Sequence, residues 1–271
     1  MPQFVPVSRE RHGTRHWRRY ASYGFARTRA VLPLAGAELA RAALAFPIAF
    51  LNEAEAYVPV AVLSLDPARN LFVAPDGRWL GSYVPAALRS HPFALAPRDG
   101  GDLVLCIDEA AGLLSDDGTA EPFFDPDGAV AEPTRKVMEF LTSVEQSRAT
   151  ARTAAAALAE AGLIVPWDIT VSSDTGQRKV AGLYKLDEGA LNALPMERFE
   201  TLRQAGAVAL AYCQILSMQH LPALGRLAEA HAQQQRDTES VLKDALTDPG
   251  DGQIDIDWTA FGDQAAEKDK P

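Results

Sequence analysis

Short apolar runs broken by turn residues fill the first half of the chain, and apolar residues recur at helical spacing in the second half. Between residues 46 and 108 the pattern predicts strands at Ile48–Leu51, Tyr57–Leu65, Asn70–Val73, Arg78–Ser82, Phe93–Ala96 and Leu103–Asp108. Pro75-Asp76-Gly77 and Arg98-Asp99-Gly100-Gly101 fall between successive strands. Proline presets φ and glycine reaches positive φ, so both segments read as hairpin turns. A period of two over Trp17 to Phe25 predicts extended chain there. Residues 37–45 read as a short helix stopped by Pro47. Val84–Ser90 reads as another, with Pro85 in its first turn, where a missing N–H costs nothing.

A loop rich in Asp, Gly and Pro covers residues 109–133, and helix follows. Thr134–Ala161 is alanine-rich, places Val137, Phe140, Leu141 and Val144 at helical spacing, and ends before Gly162, a suitable C-cap. Trp167–Val171 and Lys179–Leu186 read as two strands joined by the turn residues 172–176. Asp187 is placed to cap a short helix. Further helices are expected over Met196–Ala205 and Ala207–Ala245, the second broken near Pro222. The fold class this implies is α+β, an antiparallel β-rich N-terminal half followed by a helix-rich C-terminal half. The expected organisation is a β-rich lobe with a basic arm (1–130), a helix-rich lobe (131–247) and an acidic flexible tail (248–271), within which Ile254–Trp258 is the one apolar stretch.

Composition adds bounds. A chain of 271 residues, 47% apolar and 23% charged, can bury a core without staples. Cys106 and Cys213 lie in apolar stretches and read as reduced, buried thiols, which fits a reducing compartment. The apolar stretches Ala42–Leu51 and Ala205–Cys213 fall short of the roughly 20 residues that cross a bilayer. No long apolar run follows the basic start, as a secretory signal would require. The expectation is a cytoplasmic protein that is not integral to a membrane.

Charge changes the picture more. Residues 1–30 hold seven arginines and one acid, a net +6, against −16 on the rest. Such an arm either folds back on the acidic body or reaches for an acidic partner. Arginines interleaved with Trp17, Tyr20, Tyr23 and Phe25 would suit nucleic acid. The acidic whole and the lack of any nucleic-acid motif favour pairing within the chain.

No dinucleotide, phosphate-loop, zinc-protease or nucleophile-elbow motif is present. His12 and His16 are four apart, but their arginine-rich, glycine-containing surroundings disfavour a cation, so no metal is expected. Asp125-Pro126-Asp127-Gly128 fails as a calcium loop, because Phe123 and Thr134 stand where carboxylates are needed; it reads as a turn, as does Asp116-Asp117-Gly118. Asp108-Glu109 closes a strand and is a candidate acid–base pair, weighed against simple solvation. His220 reads as an interior histidine, and Leu221, Leu224, Ala228 and His231 as a short packing seam. No cofactor is implied. The best candidate ligand site is Asn70, Arg78, Trp79, Tyr83 and Arg89, which supply donors and aromatic faces for a small polar ligand. The plainer reading is a buried Trp and Tyr covered by arginines.

Three stretches carry a family resemblance: Phe4-Val5-Pro6-Val7-Ser8 leading into Trp17-Arg18-Arg19-Tyr20, the long run from Arg69 through Trp79-Leu80-Gly81-Ser82-Tyr83 to Arg89, and Gly182-Leu183-Tyr184-Lys185-Leu186-Asp187-Glu188. Over about residues 3–230 the chain resembles the bacterial SapC family. That family is linked by name to proteins of paracrystalline surface arrays and offers no established catalytic residues. An unrelated permease subunit shares the name but would need several membrane helices. The resemblance implies a non-catalytic binding or accessory protein connected with cell-surface (S-layer) assembly or uptake. It also implies a protein partner and a cell-surface location reached by a non-classical export route. The alternative is an enzyme or small-ligand-binding protein with its site near residues 70–89.

Overall fold

Strands from both halves of the chain build the largest sheet, and their order follows from which segments can be buried on both faces. The computed structural model describes residues 3–98, 101–173 and 176–247. The strands are β1 (Phe4–Pro6), β2 (His16–Trp17), β3 (Val31–Pro33), β4 (Ile48–Glu53), β5 (Ala56–Val62), β6 (Phe93–Pro97), β7 (Leu103–Asp108), β8 (Leu114–Ser115), β9 (Glu121–Pro122), β10 (Ile164–Pro166), β11 (Ile169–Ser173), β12 (Gly176–Val180) and β13 (Leu183–Leu186). The helices are α1 (Arg9–His12), α2 (Leu39–Ala43), α3 (Ala86–Arg89), α4 (Glu132–Glu160), α5 (Glu188–Asn192), α6 (Met196–Gln204), α7 (Ala207–Ser217) and α8 (Leu221–Thr247). The fold is α+β, with antiparallel sheets in the N-terminal half and helices dominating the C-terminal half.

The main sheet runs β10-β13-β4-β5-β3. β4 and β5 pair from Ile48↔Ala61 to Glu53↔Ala56, and most of their residues are buried whichever face they point to. Such a strand needs cover on both sides. Helix α4 packs over β5, and α7 packs on β4 and β13. Phe46, Phe50, Leu63, Leu158 and Leu210 lie at the centre of this core. A smaller core gathers Trp17, Phe93, Ile107, Phe123 and Leu141 beside the sheet β1-β7-β6. In it Trp17 meets Phe93 edge-on at 4.8 Å and donates its indole N–H to Thr134 Oγ1 at 3.2 Å.

One stripe of α4 is buried along nearly its whole length: Leu141, Val144, Ala151, Ala155 and Leu158. The steps are three, then seven, four and three, so the stripe skips one position, which Arg148 occupies. The small alanines let the helix approach the sheet closely, and Asp187 caps α5 by accepting from Ala190 N at 2.9 Å.

The structure corrects several local expectations. Asn70–Val73 and Arg78–Ser82 are not strands but shrink to a single bridge, Val73↔Trp79, around the turn closed by Gly77 N to Ala74 O. The Asn70 side chain accepts from Phe72 N at 2.9 Å, a local bond that competes with a ladder. Gly77 takes φ +87°, and a Cβ there would lie 2.0 Å from Ser22 Oγ, so only glycine fits this approach. The extended segment expected over Trp17–Phe25 stops after Trp17; Ala26 N bonds Tyr23 O, and a 3-10 turn folds Tyr20, Tyr23 and Phe25 into one aromatic cluster. Lys179–Leu186 divides at Gly182, φ +86°, into β12 and β13, which join different sheets. Pro85 precedes α3 as its N-cap, and the last long helix breaks at Met218–His220, just before Pro222.

The first compact unit extends to Ala228. The second begins at Glu229, and its described residues continue the helix of α8 to Thr247. The tail expected at 248–271, and the centres of the turns at Asp99-Gly100 and Asp174-Thr175, lie outside the described residues. The helical stretch Ala207–Ser240 contains a window of mean hydropathy 1.2, long and apolar enough by composition to cross a membrane; 33% of that window is buried within the structure. Its buried residues include Gln214, which bonds the backbone of the main sheet.

Candidate functional site

The five residues expected to form a ligand site are placed in the structure as follows. Asn70 is 2% exposed and donates its amide to Ala26 O at 3.1 Å, tying the arm to the body. Trp79 donates its indole N–H to Tyr83 O at 2.8 Å and packs against Phe72, Phe46 and Tyr23. The Tyr83 hydroxyl donates to Glu38 Oε2 at 2.8 Å. Burial, with Glu38 beside it, pushes the Tyr83 hydroxyl up to about 12. Arg89 lies over the rings of Tyr83 and Phe140, and Arg78 points outward to Asp76. Trp79, Tyr83 and Arg89 thus form one wall, while Asn70 and Arg78 bond elsewhere.

Glu38 is the buried hub of that wall, and the sequence reading passed over it. It is 4% exposed, accepts from Ala35 N at 2.9 Å through Oε1, and accepts from Tyr83 and Ala86 N at 2.8 Å through Oε2. These bonds fix the start of α3.

The basic arm folds onto the acidic segment 109–121. Arg11 meets Glu109 through two bonds, Arg15 meets Asp116, Arg18 meets Asp117, and Arg19 meets Glu121. This supports pairing within the chain. His12 and His16 do not share a helix face, because α1 ends at His12 and His16 begins β2. His12 is fully buried, accepts from Ser8 N through Nδ1 at 3.2 Å, and holds Nε2 3.3 Å from Glu109. Burial pushes its pKa down, while Arg11 holds the Glu109 carboxyl below its usual value. Asp108 accepts from Gln3 N at 2.7 Å and from Ala110 N at 3.1 Å, both through Oδ1, so that oxygen serves the backbone. The Asp125–Gly128 and Asp116–Gly118 segments are turns, as expected. Cys106 is buried and Cys213 half-buried; both are free, and burial raises both thiol pKa values. His220 lies in the 3-10 turn before α8, its Nε2 buried without a hydrogen-bond partner.

Between α3 and α4 lies a partly open crevice of about 200 Å³. Its apolar lining includes Ala86 and Ala87 of α3, Phe93 and Leu95 of β6, and Leu141 and Val144 of α4. Its polar side chains are Arg29, Ser90, His91, Glu145 and Arg148. Leu141, Val144, Glu145 and Arg148 have the i, i+3, i+4, i+7 spacing of one helix face. Arg148 is 19% exposed, pairs with Glu145 one turn before it, and has its Nε buried without a hydrogen-bond partner. Arg29 is exposed at the rim and bonds no side chain among the described residues. None of the five expected site residues lines this crevice, although α3 does.

His91 stacks flat on Phe25, ring centroids 3.7 Å apart, and faces Tyr20 at 5.8 Å. Burial drives its pKa down to about 4; Asp108 acts against this and Arg29 with it. The ring is therefore neutral in the folded protein at pH 7. As pH falls through 6.5 the unfolded chain takes up this proton and the folded chain does not until near 4. Stability should drop across that window. The expected loss from this group is about 1–2 kcal/mol, discounted for solvent screening of a half-buried ring. Urea titrations at pH 7 and 4.5 should show a smaller drop for His91→Gln than for the natural protein. An equal drop would assign the pH dependence elsewhere.

Fold and crevice together define an α+β protein with a partly open recess, lined about equally by polar and apolar groups and carrying a surplus of arginine. The family model described as SapC matches residues 7–224, and the chain belongs to the SapC family. No curated protein matches the chain. No solved structure matches it either.

Proposed function

We propose that this SapC-family protein is a non-catalytic binding or accessory protein whose ligand site is the crevice between α3 and α4. The observation that carries this reading is the pairing of a recess with groups suited to holding rather than to proton transfer. An efficient general base has a pKa near the working pH. His91, at about 4, is far below it, and Glu145 is tied to Arg148. A half-buried arginine lining a crevice, by contrast, is suited to recognising a ligand oxygen. The link to cell-surface assembly or uptake, and a protein partner, are supported by the family alone. Where the protein resides, and whether it is exported, belong to the same proposal.

Two measurements test it. A metabolite panel should contain compounds that raise the melting temperature of the natural protein but not of Ala87→Trp, which fills the crevice. Turnover of a small molecule by the isolated protein would overturn the non-catalytic reading. Fractionation of the native host should place the protein at the surface, in the medium, or with a surface-assembly partner. Confinement to free cytosol without any such partner would overturn the cell-surface part.

A further inference from the structure

The geometry points to a small monocarboxylate with a short apolar tail as the ligand of this crevice, its carboxylate held by Arg148 and Arg29 and its tail lying on Ala87, Phe93 and Leu141. This rests on the binding reading above and narrows it to one ligand class.

The argument begins with Arg148. On α4 the positions 141, 144, 151, 155 and 158 are buried and apolar or small, and 148 belongs to the same stripe. An apolar residue there would complete the core at no electrostatic cost. A cation in that position needs compensation, because a buried charge is costly unless it is paired and its donors are bonded. Glu145 pairs with the guanidinium, but Nε remains buried without an acceptor. Within the protein the compensation is incomplete: Glu145 takes one terminal nitrogen and Nε is closed off, so an oxygen arriving in the crevice would meet the donors of the other terminal nitrogen. A guanidinium presents its donors in a planar fork that matches a carboxylate.

Charge then selects the ligand's valence. Arg29 and Arg148 contribute two positive charges, Glu145 one negative charge, and His91 none near neutral pH, leaving a net of one positive charge. A monoanion balances it, and a dianion would leave an excess. The walls bear on the rest. Ala86, Ala87, Phe93, Leu95, Leu141 and Val144 offer carbon surface beside the charged groups, and an apolar stem would lie on it. The volume of about 200 Å³ is that of a small free acid.

Isothermal titration of the full chain at low salt with hexanoate, benzoate, hexanol, hexylamine and hexyl phosphate tests this. Hexanoate or benzoate should bind saturably and at least tenfold more tightly than hexanol, hexylamine or hexyl phosphate. Arg148→Met should weaken that binding at least tenfold, and Ala87→Trp should abolish it. Arg29→Gln changes an exposed residue, leaves folding intact, and should weaken binding severalfold. Arg29→Gln therefore keeps the test open should Arg148→Met fail to fold. Binding of hexanol, hexylamine or hexyl phosphate as tight as that of hexanoate, still blocked by Ala87→Trp, would overturn the ligand class and leave the binding reading standing. Unchanged affinity in both arginine variants would overturn it in the same way. If no probe binds, the monocarboxylate assignment is wrong, and the binding reading is then decided by the metabolite panel.

Discussion

Replacing Glu38 with alanine is expected to lower the free energy of unfolding by about 3–5 kcal/mol, because three donors lose their acceptor at once. Ala35 N, Ala86 N and the Tyr83 hydroxyl all donate to this one side chain. Two of the three are backbone groups that cannot turn away to another partner. The melting temperature should fall by on the order of 10 °C. A graded series separates the contributions. Glu38→Gln keeps one acceptor oxygen but turns an amide N–H toward a donor, so it should fall between wild type and alanine. Tyr83→Phe removes a donor and leaves Glu38 its two backbone partners, costing about 1 kcal/mol. Denaturant titration of the three variants measures the order. Equal losses for Tyr83→Phe and Glu38→Ala would show that the hydroxyl, not the backbone pair, carries the effect. Since Ala86 lines the crevice and starts α3, Glu38→Ala should also weaken any ligand bound there.

Gln214→Leu should cost about 2–4 kcal/mol, although it places an apolar residue in a core. Gln214 is 1% exposed. Strands β4 and β13 pair at Leu51↔Leu183 and Phe50↔Tyr184 and then separate. Where the ladder would continue, the Gln214 amide takes its place: Oε1 accepts from Leu186 N at 3.1 Å and Nε2 donates to Ile48 O at 3.1 Å. One turn further along α7, Ser217 Oγ accepts from Ile48 N at 2.8 Å. Leucine fills the volume but strands a buried N–H and a buried C=O. Hydrogen exchange gives the specific readout. The Leu186 amide should lose protection in Gln214→Leu while the amides of the β4–β5 ladder keep theirs relative to global stability. Retained protection at Leu186 would mean that the two strands had closed the gap themselves.

Much of the architecture was legible in the chain because it follows local rules. Leu103–Asp108 is the strand its apolar run predicts, α4 starts and ends within two residues of its periodic pattern, and Asp187 caps the helix it precedes. The misses occur where a side chain or a non-local contact overrides pattern. Asn70 bonding Phe72 N dissolves an expected strand, and Gly182 turns one predicted strand into two. The aromatic-rich stretch after Trp17 reads as extended chain, but Tyr20 and Phe25 turn in to meet His91, a partner some seventy residues away. The site was harder. Asn70–Arg89 attracted notice by its composition, yet it gives the crevice only Ala86 and Ala87, the rest coming from the segment that follows and from Arg29, Glu145 and Arg148 among others. One signal was available. Extending the spacing of Leu141 and Val144 by another turn reaches Arg148, a cation where the stripe calls for carbon, and departures of that kind concentrate at functional positions.

The clasp between the arm and residues 109–121 has a consequence for synthesis. Each arginine lies 98 to 102 residues before its acidic partner. At ordinary translation speeds, roughly 5–20 s separate the emergence of one side from that of the other. During that interval the nascent segment is a naked polycation beside the ribosome's own RNA, and its neutralisation waits for the chain to deliver the counter-charges. The arm is thus made well before its counter-charges and waits for them to find its place.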